Sequence, residues 1–130
     1  MSKVKESATR YANKKQSMLQ CPVSYVINRI GGHWKPLIIY HLLPAERRYS
    51  ELRKAIPTIT EKMLIQHLKE LEADGLVIRK AKPVVPPYVT YRLSPSGLAL
   101  YPVLQAMCEW AIRDSGKIPV DEYGVMEGMY

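Results

Sequence analysis

Between Tyr49 and Leu93 the spacing of apolar residues switches from helical to alternating, and the order of the segments restricts the fold more than any other feature. Ser50 is placed to cap a first helix with Leu52, Ala55 and Ile56 on its inner side, closed by Pro57. Thr60 is a good N-cap for a second helix, with Met63, Leu64, His67, Leu68 and Leu71 facing inward. Gly75 supplies its stop. Leu76–Lys80 and Val89–Leu93 then read as strands, joined through Ala81–Tyr88, which holds three prolines and no tight glycine turn.

The flanks read as further helices. Cys21-Pro22 opens one, with Val23, Val26, Ile27 and Ile30 at helical spacing and Gly31-Gly32 as its end. The next tolerates Pro36 in its first turn, is apolar at Leu37, Ile38, Tyr40, Leu42 and Leu43, and ends at Pro44. Ser94 caps a last helix through Gly97 to about Ser115, in which Pro102 marks a kink or a restart. That helix carries apolar residues on nearly every side. A helix apolar all round must be buried all round, which one small domain cannot achieve, so a second copy is expected to cover it. The expected dimer interface is Leu98, Tyr101, Leu104, Met107, Cys108, Trp110 and Ile112; a wholly internal core helix is the competing reading.

These elements give a mainly α fold with a small β-ribbon: a winged helix-turn-helix, with N- and C-terminal helices forming a dimer interface. The expected organisation is an N-terminal arm over residues 1–20 with a short basic helix over Ala12–Met18, the winged domain and dimerisation helix over 21–115, and a tail over 116–130 broken by Gly116, Pro119, Gly124 and Gly128.

Charge is unevenly distributed. It is +4 over residues 1–20, +4 over 21–60, +2 over 61–93 and −3 over 94–130. The positive balance lies with the two-helix segment and ribbon and favours a polyanionic partner. In a helix-turn-helix the second helix enters the major groove of duplex DNA, where each base pair shows a distinct donor and acceptor pattern. The exposed residues expected there are Thr58, Thr60, Glu61, Lys62, Ile65, Gln66 and Lys69. Gln66 suits adenine, Lys62 suits guanine, and Ile65 suits a thymine methyl. Ser50 and helix-start amides suit phosphates, with Arg47, Arg48 and Arg53 adding charge. Arg79, Lys80 and Lys82 lie where a wing meets the backbone or minor groove. A helical bundle with an ordinary solvated face is the bland alternative; the basic ribbon after the second helix weighs against it.

No secretory leader is apparent in the first 20 residues, and the longest apolar run, Pro36–Leu43, is too short to span a bilayer, so a cytoplasmic location is expected. No cysteine or histidine pair has zinc-like spacing, and no metal or cofactor is expected. His33, His41 and His67 lack a matched nucleophile or paired carboxylate, Glu70, Glu72 and Asp74 end a helix, and Gly31-Gly32 lacks the lysine and serine of a phosphate loop. An enzyme is therefore not expected. A winged-helix protein-interaction module without DNA binding stays open as the alternative function.

The motifs resemble those of the HxlR-type winged helix-turn-helix transcriptional regulators, relatives of the MarR type. The matching segments are Cys21-Pro22-Val23, Ile30-Gly31-Gly32-His33-Trp34-Lys35, Tyr49-Ser50-Glu51-Leu52-Arg53, Ile56-Pro57, and Thr60-Glu61-Lys62-Met63-Leu64. Beyond them come Leu68 through Leu76, Val85-Pro86-Pro87, Tyr91-Arg92-Leu93 and Ser96-Gly97. The resemblance covers roughly Cys21 to Ile112 and implies a homodimer that binds operator DNA and acts as a regulator of nearby genes; a repressor is expected, and two copies would address a pseudo-palindromic operator. Where the family often has a basic residue after the paired prolines, this chain has Tyr88, which removes one cation expected on the wing.

Cys21 precedes a helix start, where the positive end of the dipole favours thiolate. Some members of the resembled family sense oxidants or electrophiles through a cysteine in this place, so redox sensing through Cys21 is one expectation and a small packing residue the other. Cys108, in an apolar helix, reads as inert core.

Overall fold

The computed structural model describes residues 21–116. The helix expected over Ala12–Met18 and residues 117–130 of the expected tail lie outside the described residues. The chain divides into two compact units between His33 and Trp34.

In the first unit, helix α1 (Pro22–Ile30) starts from Cys21 in an extended N-cap conformation with proline in its first turn. It ends where the Gly31 amide donates to the Ile27 carbonyl at 2.7 Å. Val23 and Ile27, one turn apart, are exposed, and the Arg29 guanidinium stacks on the Tyr25 ring at 4.0 Å.

The second unit contains α2 (Trp34–Leu42), β1 (Arg47–Arg48), α3 (Tyr49–Ala55), α4 (Glu61–Ala73), β2 (Val77–Lys82), β3 (Tyr88–Leu93), α5 (Pro95–Leu98) and α6 (Tyr101–Ser115). The strands form one antiparallel sheet in the order β1-β3-β2. Leu37, Ile38, Ile39 and Leu42 of α2, Leu52 of α3, and Leu64, Leu68 and Leu71 of α4 are buried. Each such side chain contributes about 1.5–3 kcal/mol.

Three local outcomes differ from the sequence reading. The N-cap of α3 is Arg48, not Ser50, and the Glu51 carboxylate accepts the Arg48 N–H at 2.8 Å. Ser50 is left exposed in the first helical turn. Strand β1 has no signature of its own: two arginines carry no periodicity and become a strand only by pairing, Arg47 with Tyr91 and Arg48 with Thr90. The ribbon is longer than expected, because Ala81 pairs with Val89 and Lys82 with Tyr88, so only residues 83–87 form the loop. The restart expected at Pro102 is present: α5 stops after one turn and α6 begins with Pro102 in its first turn.

The base of the wing is fixed by hydrogen bonds. Helix α4 ends in a Schellman arrangement, with the Leu76 amide donating to the Leu71 carbonyl and the Gly75 amide to that of Glu72, both at 3.0 Å. Gly75 takes φ +76°, the left-handed region that favours glycine. Ser94 then joins three segments. Its hydroxyl donates to the Gly75 carbonyl at 2.6 Å and accepts the Gly97 amide at 3.1 Å, while its own amide donates to the Leu76 carbonyl at 3.0 Å. Gly97 is required by close approach, since a Cβ there would collide with the Leu76 carbonyl oxygen.

Helices α2 and α4 are also tied by charge. Lys35 is buried, and its Nζ lies 3.7 Å from Glu70 Oε1. His67 Nδ1 lies 3.4 Å from the same oxygen. Among the described residues no helix is long and apolar enough to cross a membrane.

Candidate nucleic-acid interface

Helix α4 has two faces set by its sequence. Thr60 caps it, its Oγ1 accepting the Met63 amide at 3.1 Å. Leu64, Leu68 and Leu71 are buried, while Met63 and His67 are half-buried at the margin. The rest of the surface is open: Glu61, Lys62, Ile65, Gln66, Lys69 and Glu72 are all exposed. Spacings of three and four residues place these side chains on one side of the helix. In the turn before it, Pro57 and Thr58 are exposed and Ile59 is buried.

The sequence-derived cations do not all reach that surface. Arg53 donates from Nη1 to the Ile59 carbonyl at 3.5 Å and is half-buried, bracing the turn. Arg47 donates from Nε to the His41 carbonyl at 3.3 Å and is also half-buried. Arg48 is exposed at the sheet edge.

Strand alternation divides the wing residues. Arg79 pairs with Tyr91, and Tyr91 is buried, so Arg79 lies on the inner, helix-facing side of the sheet. Lys80 and Lys82 fall on the opposite, outer side with Tyr88, Thr90 and Arg92. A cleft of about 520 Å³ opens between helix and wing, with Ile65 and Lys69 on one wall and Arg79, Val89 and Pro87 on the other, and Tyr49, Ser50 and Arg48 at its end. Among the described lining residues, Arg48, Lys69 and Arg79 are cationic, Ile65, Pro87 and Val89 are apolar, and Glu72 is acidic.

Several residues at this surface carry no sequence signal of their own. Tyr49 and Tyr91 look like ordinary packing residues in the sequence, yet both line the cleft. Burial, with the nearby Glu61 carboxylate second, raises the Tyr49 phenol pKa; Arg53 opposes this. Tyr88 occupies the place of the missing wing cation. The Arg48 guanidinium lies 4.1 Å from its ring centroid and the Lys82 ammonium 4.8 Å. At the wing tip Val84 is half-exposed and Val85 wholly exposed.

The residues expected at a dimer interface separate by burial. Leu104 and Cys108 are already buried within the chain, because they occupy the inward side of α6. In this they differ from the rest of the expected set. Leu98, Tyr101, Met107 and Trp110 are exposed, joined by Val103, and Ile112 is half-buried. The helix is therefore two-sided, with an outward side that is unusually apolar.

Cys21 is half-exposed at the N-terminus of α1. Its thiol forms no side-chain cap hydrogen bond, but the Ser24 amide and hydroxyl, then the Val23 amide, hold its pKa below the ordinary thiol value. Burial works weakly in the opposite direction.

Comparison with known proteins agrees with this architecture. The uncharacterized HTH-type transcriptional regulator BH0655 of Halalkalibacterium halodurans is 44% identical over 109 residues, 83% of this chain and 96% of its own. The redox regulator HypR superposes in its reduced form with a TM-score of 0.70 at 40% identity, covering 75% of this chain and 98% of HypR. Its oxidized form gives 0.67 at 42% identity, covering 72% and 96%. The reduced transcriptional regulator YodB from B. subtilis gives 0.64 at 38% identity, covering 72% of this chain and 93% of YodB. The model of the HxlR-like helix-turn-helix family matches residues 29–117. With that match, these relatives and the winged-helix geometry, the chain belongs to the HxlR-like helix-turn-helix family of transcriptional regulators.

Proposed function

We propose that the protein is a homodimeric, sequence-specific DNA-binding regulator that acts in the cytoplasm as a repressor and responds to oxidants or electrophiles through Cys21. The observation that carries the DNA reading is the exposed polar side of α4, from Glu61 to Lys69, beside the cationic cleft shared with the wing. In this reading Lys62, Ile65 and Gln66 address base edges and Thr58, Thr60 and Glu61 border them. Ser50, Arg48, Lys69 and Arg79 face the phosphates around the cleft, and Lys80 and Lys82 add contacts from the wing. Arg47 contributes charge from behind the sheet edge. Two copies joined through the outward side of α6 would present two α4 helices to half-sites about 34–36 Å apart.

The redox part rests on the thiol environment of Cys21 and on the likeness to the redox regulator HypR and to YodB, of which a diamide-treated form has been solved. Diamide treatment is expected to change operator affinity in the wild type and leave Cys21→Ser unaffected. Equal responses would assign Cys21 to packing.

Selection of bound duplexes from a random library tests the DNA reading. The wild type should yield a pseudo-palindrome. Gln66→Ala should relax preference at one position per half-site, by about 1–3 kcal/mol of discrimination. Lys69→Ala should weaken all sequences alike. A wild type that enriches no sequence, with a neutralised α4 that keeps its regulatory effect, would favour the protein-interaction alternative.

A further inference from the structure

The outer face of the wing is a second cationic surface, which meets the cleft at Arg48. Lys80, Lys82 and Arg92 project there from β2 and β3, and Arg48, at the end of the cleft, reaches it from the edge strand. All four are exposed. Among the described residues, the Glu46 carboxylate accepts the Thr90 hydroxyl at 2.9 Å on this face and the Glu51 carboxylate accepts the Arg48 backbone N–H at 2.8 Å. Among the described residues none of the four cations is held in an ion pair. Two of them, Arg48 and Lys82, are instead organised around one ring. Lys82 lies directly across the ladder from Tyr88, and Arg48, paired with Thr90, lies diagonally across from it on the other side. The ring therefore has a cation from each neighbouring strand against it, at 4.1 and 4.8 Å.

We propose that Tyr88 is a positioning residue for a DNA-backbone site on the outer face of the wing, holding Arg48 and Lys82 as one unit against the phosphates that flank the segment read by α4. This rests on the DNA-binding reading above and extends it from the end of the cleft, where Arg48 lies, across the outer face of the wing. The physical argument is charge complementarity and preorganisation. A ring quadrupole attracts both cations without neutralising either, so their charge stays available to phosphate. Long side chains held in place lose less freedom on binding than free ones. An acidic partner for Arg48 and Lys82 would order them as well, but would cancel the charge that the contact needs. The occupant that suits a row of uncompensated cations is a regular polyanion, and phosphate contacts of this kind require no base sequence.

The test is the salt dependence of binding to a fluorescein-labelled, mixed-sequence duplex, where phosphate contacts dominate. Removing two contacts per subunit should reduce the slope of log K against log salt by about 1.8 per subunit bound. Tyr88→Leu should lose about tenfold in affinity and reduce the slope in that direction. Tyr88→Phe keeps the ring and should bind within about twofold of wild type, since the phenol hydroxyl has no part in the bracket. Arg48→Gln with Lys82→Gln leaves the ring in place and should reproduce the slope loss, which covers the case where Tyr88→Leu destabilises the fold. Adding Tyr88→Leu to that double variant should change little further. A Tyr88→Leu protein that is folded and keeps the wild-type slope would overturn the proposal while leaving the DNA reading intact. So would a Tyr88→Phe protein as weak as Tyr88→Leu. A wild type that fails to bind the duplex at low salt would overturn both.

Discussion

Trp110 gives the sharpest quantitative handle on assembly. It is 62% exposed on α6, with exposed Met107 about one turn away, Val103 about two and Tyr101 about two and a half, and exposed Leu98 on α5. A tryptophan buries about 150–250 Å² in a core or interface. The part exposed here is therefore on the order of 100–150 Å², worth about 3 kcal/mol at roughly 25 cal/mol per Å². In a two-fold symmetric dimer the same patch meets itself, so one substitution removes the contribution twice, about 6 kcal/mol. Repacking around the smaller side chain recovers part of that. Trp110→Ala should thus weaken the dimer by at least about a hundredfold, which is about 2.7 kcal/mol. Sedimentation equilibrium over a concentration series measures this directly, and the melting midpoint should become concentration-dependent in the same range. Operator binding should weaken in parallel while binding to an isolated half-site stays unchanged. The reasoning fails if Trp110→Ala dimerises as tightly as wild type, or if the wild type is a monomer at high concentration.

Further outcomes follow from the wing base and the buried histidines. Gly97→Ala should destabilise by about 1–3 kcal/mol, because the new methyl meets the Leu76 carbonyl oxygen and must push α5 off the wing base. That is a fall of roughly 4–24 °C in melting midpoint for a domain of this size, and a fall of under a degree would contradict the packing. Burial is the largest cause lowering the pKa of both His67 and His41; Glu70 opposes it at His67, and Arg47 adds to it at His41. Because folding disfavours their protonated forms, their contribution is complete above the ordinary value of 6.5 and is lost as pH falls below it. The melting midpoint should therefore drop on acidification from neutral pH, and His67→Gln should flatten part of that drop; an unchanged profile would refute this account.

Much of the domain was legible because its signals are local. The 3.6-residue spacing of Leu64, Leu68 and Leu71, the Thr60 cap and the Gly75 stop each act within a turn or two of chain, and each appears in the structure. The polar side of α4 follows from the same spacing, since placing the leucines inward leaves Lys62, Gln66 and Lys69 outward. Non-local effects were not legible. A two-residue strand at Arg47–Arg48 exists only because β3 is there to pair with it, and Ser50 yielded the cap position once that pairing set where α3 begins.

From the chain alone come the order of the elements, the helix ends, the apolar faces and the concentration of positive charge, because periodicity, capping and composition are short-range properties. Tertiary structure alone decided which of those charges stay free. It committed Arg53 and Arg47 to carbonyl oxygens, separated Arg79 from Lys80 and Lys82 by the pleat, and turned an apparent gap in the wing's charge into a ring that gathers two cations. It also separated Leu104 and Cys108 from Tyr101, Met107 and Trp110 on a helix that reads as apolar on nearly every side. The physical reason is the same in each case: a side chain's availability depends on what lies across from it in space, which the periodicity of its own helix or strand does not specify.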